Sequence, residues 1–173
     1  MAGARKDIDS GKPEEAILFC EGVIEEDYES VEAWNLKGLA IFNCERPNEA
    51  IDCYDKAIEI DSGSHEAWNY KCMALIKLGQ TESAIKCFDR SIEARPFFTI
   101  AWVYKGRALA ALEKHEAAME CYETALIIDS KNTEAMNSKG KTLMSMGQKA
   151  EGIVCIERAN LIEEERMKKP PAP

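Results

Sequence analysis

VEAWNLKGLAIFNCERPNEAIDCYDKAIEIDSGS, residues 31–64, returns along the chain at its own length of 34 residues. Trp34, Trp68 and Trp102 fall one period apart, with Met136 in the fourth place. Ala33, Ala67, Ala101 and Ala135 precede them, and Lys37, Lys71, Lys105 and Lys139 follow in register. Next come Gly38, Cys72, Gly106 and Gly140, then Ala50, Ala84 and Ala118, then Tyr54, Phe88 and Tyr122. A period of this size, held without insertion, is the signature of stacked supersecondary units that bury their apolar faces against one another.

The unit explains itself physically. Its first half places Ala33, Leu36, Ala40 and Phe42 among apolar positions at helical spacing, and its second half does the same with Ala50, Ile51, Tyr54, Ala57, Ile58 and Ile60. Between them stands Glu45-Arg46-Pro47. Proline cannot continue a helix, but it suits the first position of the next. Each unit is therefore predicted to be a helix, a tight turn and an antiparallel second helix. Gly38, Ala50 and Ala57 are expected where the two helices cross, because only small side chains permit close approach. Ser64 and Asn132 are expected as side-chain caps, and Glu32, Glu66 and Glu134 suit the first turn of their helices.

This pattern of tryptophan, a small residue four places on, a later alanine, an aromatic and another alanine resembles the tetratricopeptide repeat. The form Ala-Trp-Asn-Leu-Lys-Gly is similar to the simple repeats of archaeal and bacterial members. Departures are few: proline near the repeat end appears only as Pro96, against Ser62 and Ser130, and Gly152 replaces the second-helix alanine in the last copy. The resemblance implies an all-α fold, a right-handed solenoid of antiparallel helix pairs. About four full repeats are expected, 31–64, 65–98, 99–132 and 133–167, in one continuous domain. Residues 1–30 read as a partial repeat in which Pro13 and Ala16 match Pro47 and Ala50. The last helix is expected to run on to about residue 169, and a tail over 168–173 is expected to be disordered.

Bulk properties narrow the function classes. The 173 residues are 46% hydrophobic with a net charge of −9, which argues against nucleic acid, whose phosphates need a basic footprint. No run approaches the roughly 18 apolar residues of a membrane span, and the N-terminus lacks the apolar core of a signal peptide. A soluble, cytoplasmic protein is expected.

Seven cysteines raise a metal or disulfide reading. Cys53, Cys87, Cys121 and Cys155 occupy one place on successive second helices, separated by more than the 8–10 Å between neighbouring helices. That exceeds the roughly 7 Å reach of a disulfide between α-carbons and the short bonds of zinc. The cysteines are read as small buried hydrophobes in a reducing compartment, with Cys72 filling the place of a glycine and Cys44 the most exposed.

Within the family the resemblance points to, the first helices line a concave groove that takes partner peptides. The corresponding candidates are Asn35, Leu39 and Phe42 in the first full copy, and Asn69, Tyr70, Met73 and Lys77 in the second. The third and fourth copies add Tyr104 and Arg107, then Asn137 and Lys141. An asparagine amide both donates to and accepts from a peptide backbone, and tyrosine supplies flat amphipathic surface. Lys77, Arg107 and Lys141 give the groove a basic side, suited to an extended or acidic segment. The lysines at the Lys37 position are read as structural, with stems on the helices and ammonium groups outward. The two-carboxylate clamp of the family's chaperone adaptors is missing: its positions hold Asn35, Leu39, Tyr70, Ile100 and Tyr104, none of them cationic.

Two further readings follow. Ile153, Ile156 and Leu161 would leave an apolar strip on the last helix, a candidate for association with a second copy. Catalysis is not expected: His65 and His115 sit at a repeat boundary and a turn, and no HExxH, GxSxG or glycine-rich phosphate loop appears. No cofactor or metal is expected. The expected function is that of a binding scaffold for a protein segment, with self-stacking as the alternative.

Overall fold

The computed structural model describes residues 1–168, which form ten α-helices and no strand. In order these are α1 (Ala2–Asp9), α2 (Pro13–Glu26), α3 (Val31–Asn43), α4 (Pro47–Ile60), α5 (His65–Lys77), α6 (Thr81–Ala94), α7 (Thr99–Ala111), α8 (His115–Ile128), α9 (Thr133–Ser145) and α10 (Lys149–Lys168). This is the all-α solenoid class read from the repeat. The chain divides into two compact units, one of residues 1–96 with α1 to α6 and one from Phe97 onward with α7 to α10. The tail expected over 168–173 begins at a residue that α10 still contains, and the rest of it lies outside the described residues.

Local chemistry sets each boundary. Pro13 and Pro47 open α2 and α4 at the first helical position, where a missing N–H costs nothing. The Ser30 and Ser64 hydroxyls accept from the N–H of Ala33 and Ala67 at 3.4 Å, and Asn132 Oδ1 accepts from Ala135 N–H at 2.8 Å. One turn earlier, Asp27, Asp61 and Asp129 accept from the backbone two residues on, at 3.1, 2.9 and 3.0 Å. The turn inside each hairpin needs one left-handed residue. Gly11, Gly79 and Gly147 supply it at φ of 74° to 86°, but Glu45 and Glu113 adopt it at φ of 60° and 59°.

Packing follows the small residues. A Cβ on Gly38 would stand 2.5 Å from Tyr54 Cε1, and one on Gly106 equally close to Tyr122 Cε1. Ala50, Ala57, Ala118 and Ala125 are wholly buried, and Tyr54, Phe88 and Tyr122 are at most 1% exposed. Within the first unit α-carbons of α1 and α3, and of α3 and α5, approach within 8 Å, whereas those of α2, α4 and α6 stay farther apart. Within the second unit α7 and α9 approach in the same way, while α8 and α10 do not. The first helices of the hairpins are thus the closer-set row, and each unit curves with them on the inside.

Two points change once the helices are placed. The tryptophans that mark the repeat are half-buried. Trp34 and Trp68 donate from Nε1 to the carbonyls of Tyr28 and Ser62, at 2.9 and 3.0 Å, tying each helix to the loop before it. The ammonium groups of Lys37, Lys71 and Lys105 lie 5.7 Å from the Trp34, Trp68 and Trp102 ring centroids. The structural reading of these lysines fits that geometry: Lys37 pairs with Glu21 at 2.9 Å, Lys71 with Asp55 at 2.5 Å and Lys139 with Glu123 at 2.9 Å. The second change is covalent. Cys72 and Cys87 form a disulfide between α5 and α6, with Cα atoms 5.4 Å apart. Comparison of equivalent cysteines excludes Cys53, Cys87, Cys121 and Cys155 from pairing with one another. It overlooks a cysteine at the glycine place, which faces the cysteine of its own second helix.

Candidate functional site

The inner row of helices carries the residues expected to meet a ligand, and the two units present them differently. In the first unit, Asn35 and Asn69 are only 4% and 5% exposed, and the Oδ1 of each is buried without a hydrogen-bond partner among the described residues. Asn69 Nδ2 reaches only the Met73 sulfur, at 3.8 Å. These amides sit in the seam of the stack and not on an open wall. Leu39 packs on the cluster of Ala4, Ile8, Ala16, Cys20, Leu36 and Ala40. Tyr70 stacks on Tyr54 with centroids 5.7 Å apart, and burial raises its phenol pKa above the ordinary value.

Lys77 is the cation of this wall, and it is already engaged. Its Nζ lies 2.6 Å from Glu45 Oε1 and 5.3 Å from the Phe42 ring centroid. Glu45 is the left-handed residue of the turn before, so a strained backbone position supplies the carboxylate that holds Lys77. Phe42 is half-buried beneath it.

The second unit has the more open site. A pocket of about 540 Å³ is lined by Arg107 and Ala110 of α7, His115 and Tyr122 of α8, and Glu134, Asn137, Ser138, Lys141, Thr142 and Ser145 of α9. Arg107, Asn137 and Lys141 therefore share one cavity. Arg107 donates from Nη1 to Glu134 Oε1 at 3.0 Å, and its guanidinium carbon lies 5.1 Å from the Tyr104 centroid. Lys141 is exposed and has no ion pair among the described residues. Its charge is thus open to an anionic group. The pocket offers hydroxyls, an amide and two cations, a surface suited to hydrogen bonding and charge pairing.

His115 and Thr142 join this pocket although the repeat pattern did not single them out. His115 opens α8, which turns it back toward α9, and no spacing signal in the sequence announces that. The residues expected to drive self-association separate. Ile153 is 47% and Leu161 60% exposed, whereas Ile156 is half-buried, its Cγ1 2.7 Å from where a Cβ on Gly140 would stand. Among the described residues no group of three or more His, Cys, Asp or Glu is placed to hold a metal ion. No described helix is long and apolar enough to cross a membrane.

Comparison with known proteins gives the same architecture. Family models described as tetratricopeptide repeat match residues 31–64, 73–133 and 133–166. A crystal structure of MamA, 24% identical, covers 96% of this chain and 97% of its own with a TM-score of 0.81. A structure of MamA from Desulfovibrio magneticus RS-1, residue 41 to its end, is 20% identical over 96% of this chain and 93% of that one, with a TM-score of 0.75. YrrB, described as a TPR protein with an unusual peptide-binding site, is 21% identical over 95% of this chain and 84% of its own, with a TM-score of 0.71. At these identities the likeness is one of fold. No curated protein sequence matches.

Proposed function

Because the chain belongs to the tetratricopeptide repeat family, we propose that it is a protein–protein interaction scaffold that takes a peptide segment of a partner on its inner wall. The observation that carries this reading is the pocket of the second unit, where Arg107, Asn137 and Lys141 converge on one cavity. An extended segment with an acidic side chain suits it: a carboxylate meets Lys141, and peptide groups meet Asn137 and the hydroxyls of Ser138 and Ser145. The burial of Asn35 and Asn69 and the capture of Lys77 by Glu45 put less of the recognition on the first unit. YrrB, which shares the fold, is named for a peptide-binding site, and that supports the class of ligand. The protein is taken as a non-catalytic component of the cytoplasm.

The test is affinity capture from the source lysate with the natural chain and with an Arg107→Ala, Lys141→Ala double variant, followed by binding of synthetic peptides from the captured partner. Loss of capture, with retained helicity, is expected. Equal capture by both would overturn the groove as the site.

A second reading rests on a separate observation. Ile156 takes the register place at which Tyr54, Phe88 and Tyr122 are buried to 1% or less, but on α10 it is only half-buried, with Ile153 and Leu161 exposed nearby. Self-association through this face is the alternative function. A strictly monomeric species in sedimentation at high micromolar concentration would end it.

A further inference from the structure

The crossing of α5 with α6 differs from those of the other full repeats. At the corresponding place on the first helix, Gly38, Gly106 and Gly140 leave no room for a side chain: an added Cβ would come within 2.5 Å of the Tyr54 ring, 2.5 Å of the Tyr122 ring and 2.7 Å of the Gly152 carbonyl. The second repeat puts Cys72 there. At the Gly140 place an added Cβ would also stand 3.3 Å from the Cβ of Cys155, the cysteine of its own second helix. Substituting the glycine by cysteine therefore brings two sulfurs face to face in this one hairpin, with Cα atoms 5.4 Å apart. Such a separation lies inside the range in which a disulfide closes.

We propose that Cys72 and Cys87 are a redox-active pair whose state, dithiol or disulfide, sets the seat of α5 and with it the inner wall of the first unit. The bonded state lets two sulfurs meet at a crossing whose first helix elsewhere carries glycine. In the dithiol state the sulfurs must withdraw to van der Waals separation, well over 1 Å farther apart than a bonded pair. That separation is taken up by a shift of α5 against α6. Helix α5 carries Tyr70, which stacks on Tyr54, and Lys77, which pairs with Glu45. Both contacts reach back to the preceding repeat, so a shift of α5 is felt along the wall. In a repeat array such an effect stays with nearest neighbours.

The chemistry is thiol–disulfide exchange with a small-molecule disulfide such as oxidised glutathione. Cys87, 5% exposed against none for Cys72, is the first to react, through local opening of the hairpin. Its thiolate attacks one sulfur of the oxidant, breaks that S–S bond and expels one thiolate. The Cys72 thiolate then attacks the Cys87 sulfur of the mixed disulfide, closing the internal bond and expelling the second. Two protons leave the cysteines, two electrons pass to the oxidant, and the oxidant ends as two thiols. A thiol reductant reverses every step. The effect on a ligand rests on the groove reading; the switch itself does not.

The test uses the full chain without any ligand. After equilibration with oxidised glutathione, intact mass should fall by about two daltons relative to the reduced chain, and peptide mapping should join Cys72 to Cys87. Hydrogen exchange of residues 65–94 should be at least tenfold slower in the oxidised chain, and Tyr70 ring resonances should differ between the two states. Exchange over 133–168 should not change. In Cys72→Gly, which restores the residue of the other repeats, and independently in Cys87→Ala, the redox dependence should vanish. A chain that ends with glutathione attached to Cys72 or Cys87, or exchange over 65–94 and Tyr70 resonances that match in both states, would overturn the proposal. Neither result bears on the pocket of the second unit, which the capture experiment tests separately.

Discussion

Gly38 lies under the edge of Tyr54 so closely that a Cβ on it would stand 2.5 Å from Cε1. Gly106 repeats the relationship with Tyr122, and both tyrosines are 1% exposed. A ring that is itself packed on all sides cannot swing away. Gly106→Leu should therefore spread α7 from α8, at a cost of about 1–3 kcal/mol or more. Urea denaturation followed by circular dichroism measures it, and an unchanged midpoint would show that the crossing tolerates a side chain.

Trp68 behaves differently from a core aromatic. It is half-buried, its Nε1 ties down the Ser62 carbonyl, and Lys71 covers its face. Trp68→Ala should cost about 2 kcal/mol, below the roughly 3–5 kcal/mol typical of buried tryptophans. A loss at the upper end of that range would indicate more burial than the fold provides.

Glu113 holds a left-handed backbone at φ 59° where Gly79 and Gly147 serve in other hairpins. A side chain in that region costs about 1–2 kcal/mol, and glycine's greater freedom in the unfolded chain returns part of this. Glu113→Gly should stabilise the chain by about 0.5–1 kcal/mol, read as a higher denaturation midpoint. The same change at Glu45 should gain less, because it also removes the partner of Lys77.

Stability should decline on the alkaline side. Burial pushes the Cys20 and Cys53 thiols from 9.0 up to about 11, and it raises the Tyr54 and Tyr122 phenols above their ordinary value of 10.0. The unfolded chain ionises these groups first, so unfolding releases protons and higher pH favours it. The contribution is fully present below pH 9 and is lost as pH rises toward and beyond 11. Denaturation midpoints measured from pH 7 to 11 should fall, and Cys53→Ala should flatten the slope between 9 and 11.

The periodic features were legible because they obey local rules. Ser64 and Asn132 cap, and the glycines mark crossings, wherever one copy stands in for the next. What escaped was whatever depends on a copy departing from its neighbours. By analogy with glycine Cys72 reads as mere filling, although its difference from glycine is what joins it to Cys87. Asn35 and Asn69 share a groove position by family pattern, yet they are sealed in the seam of the stack, while Asn137 at the same place opens on a pocket. His115 entered that pocket through the orientation of α8, which no spacing reveals.

The bond between α5 and α6 also has a mechanical meaning. It spans 15 positions of sequence. Stretched from its two ends, the oxidised chain would lock those residues out of the extending contour and fall short of full length by roughly 50 Å, at about 3.3–3.6 Å per residue. A reductant added under tension would release that hidden length in one step, turning a repeat unit into a redox-gated spacer.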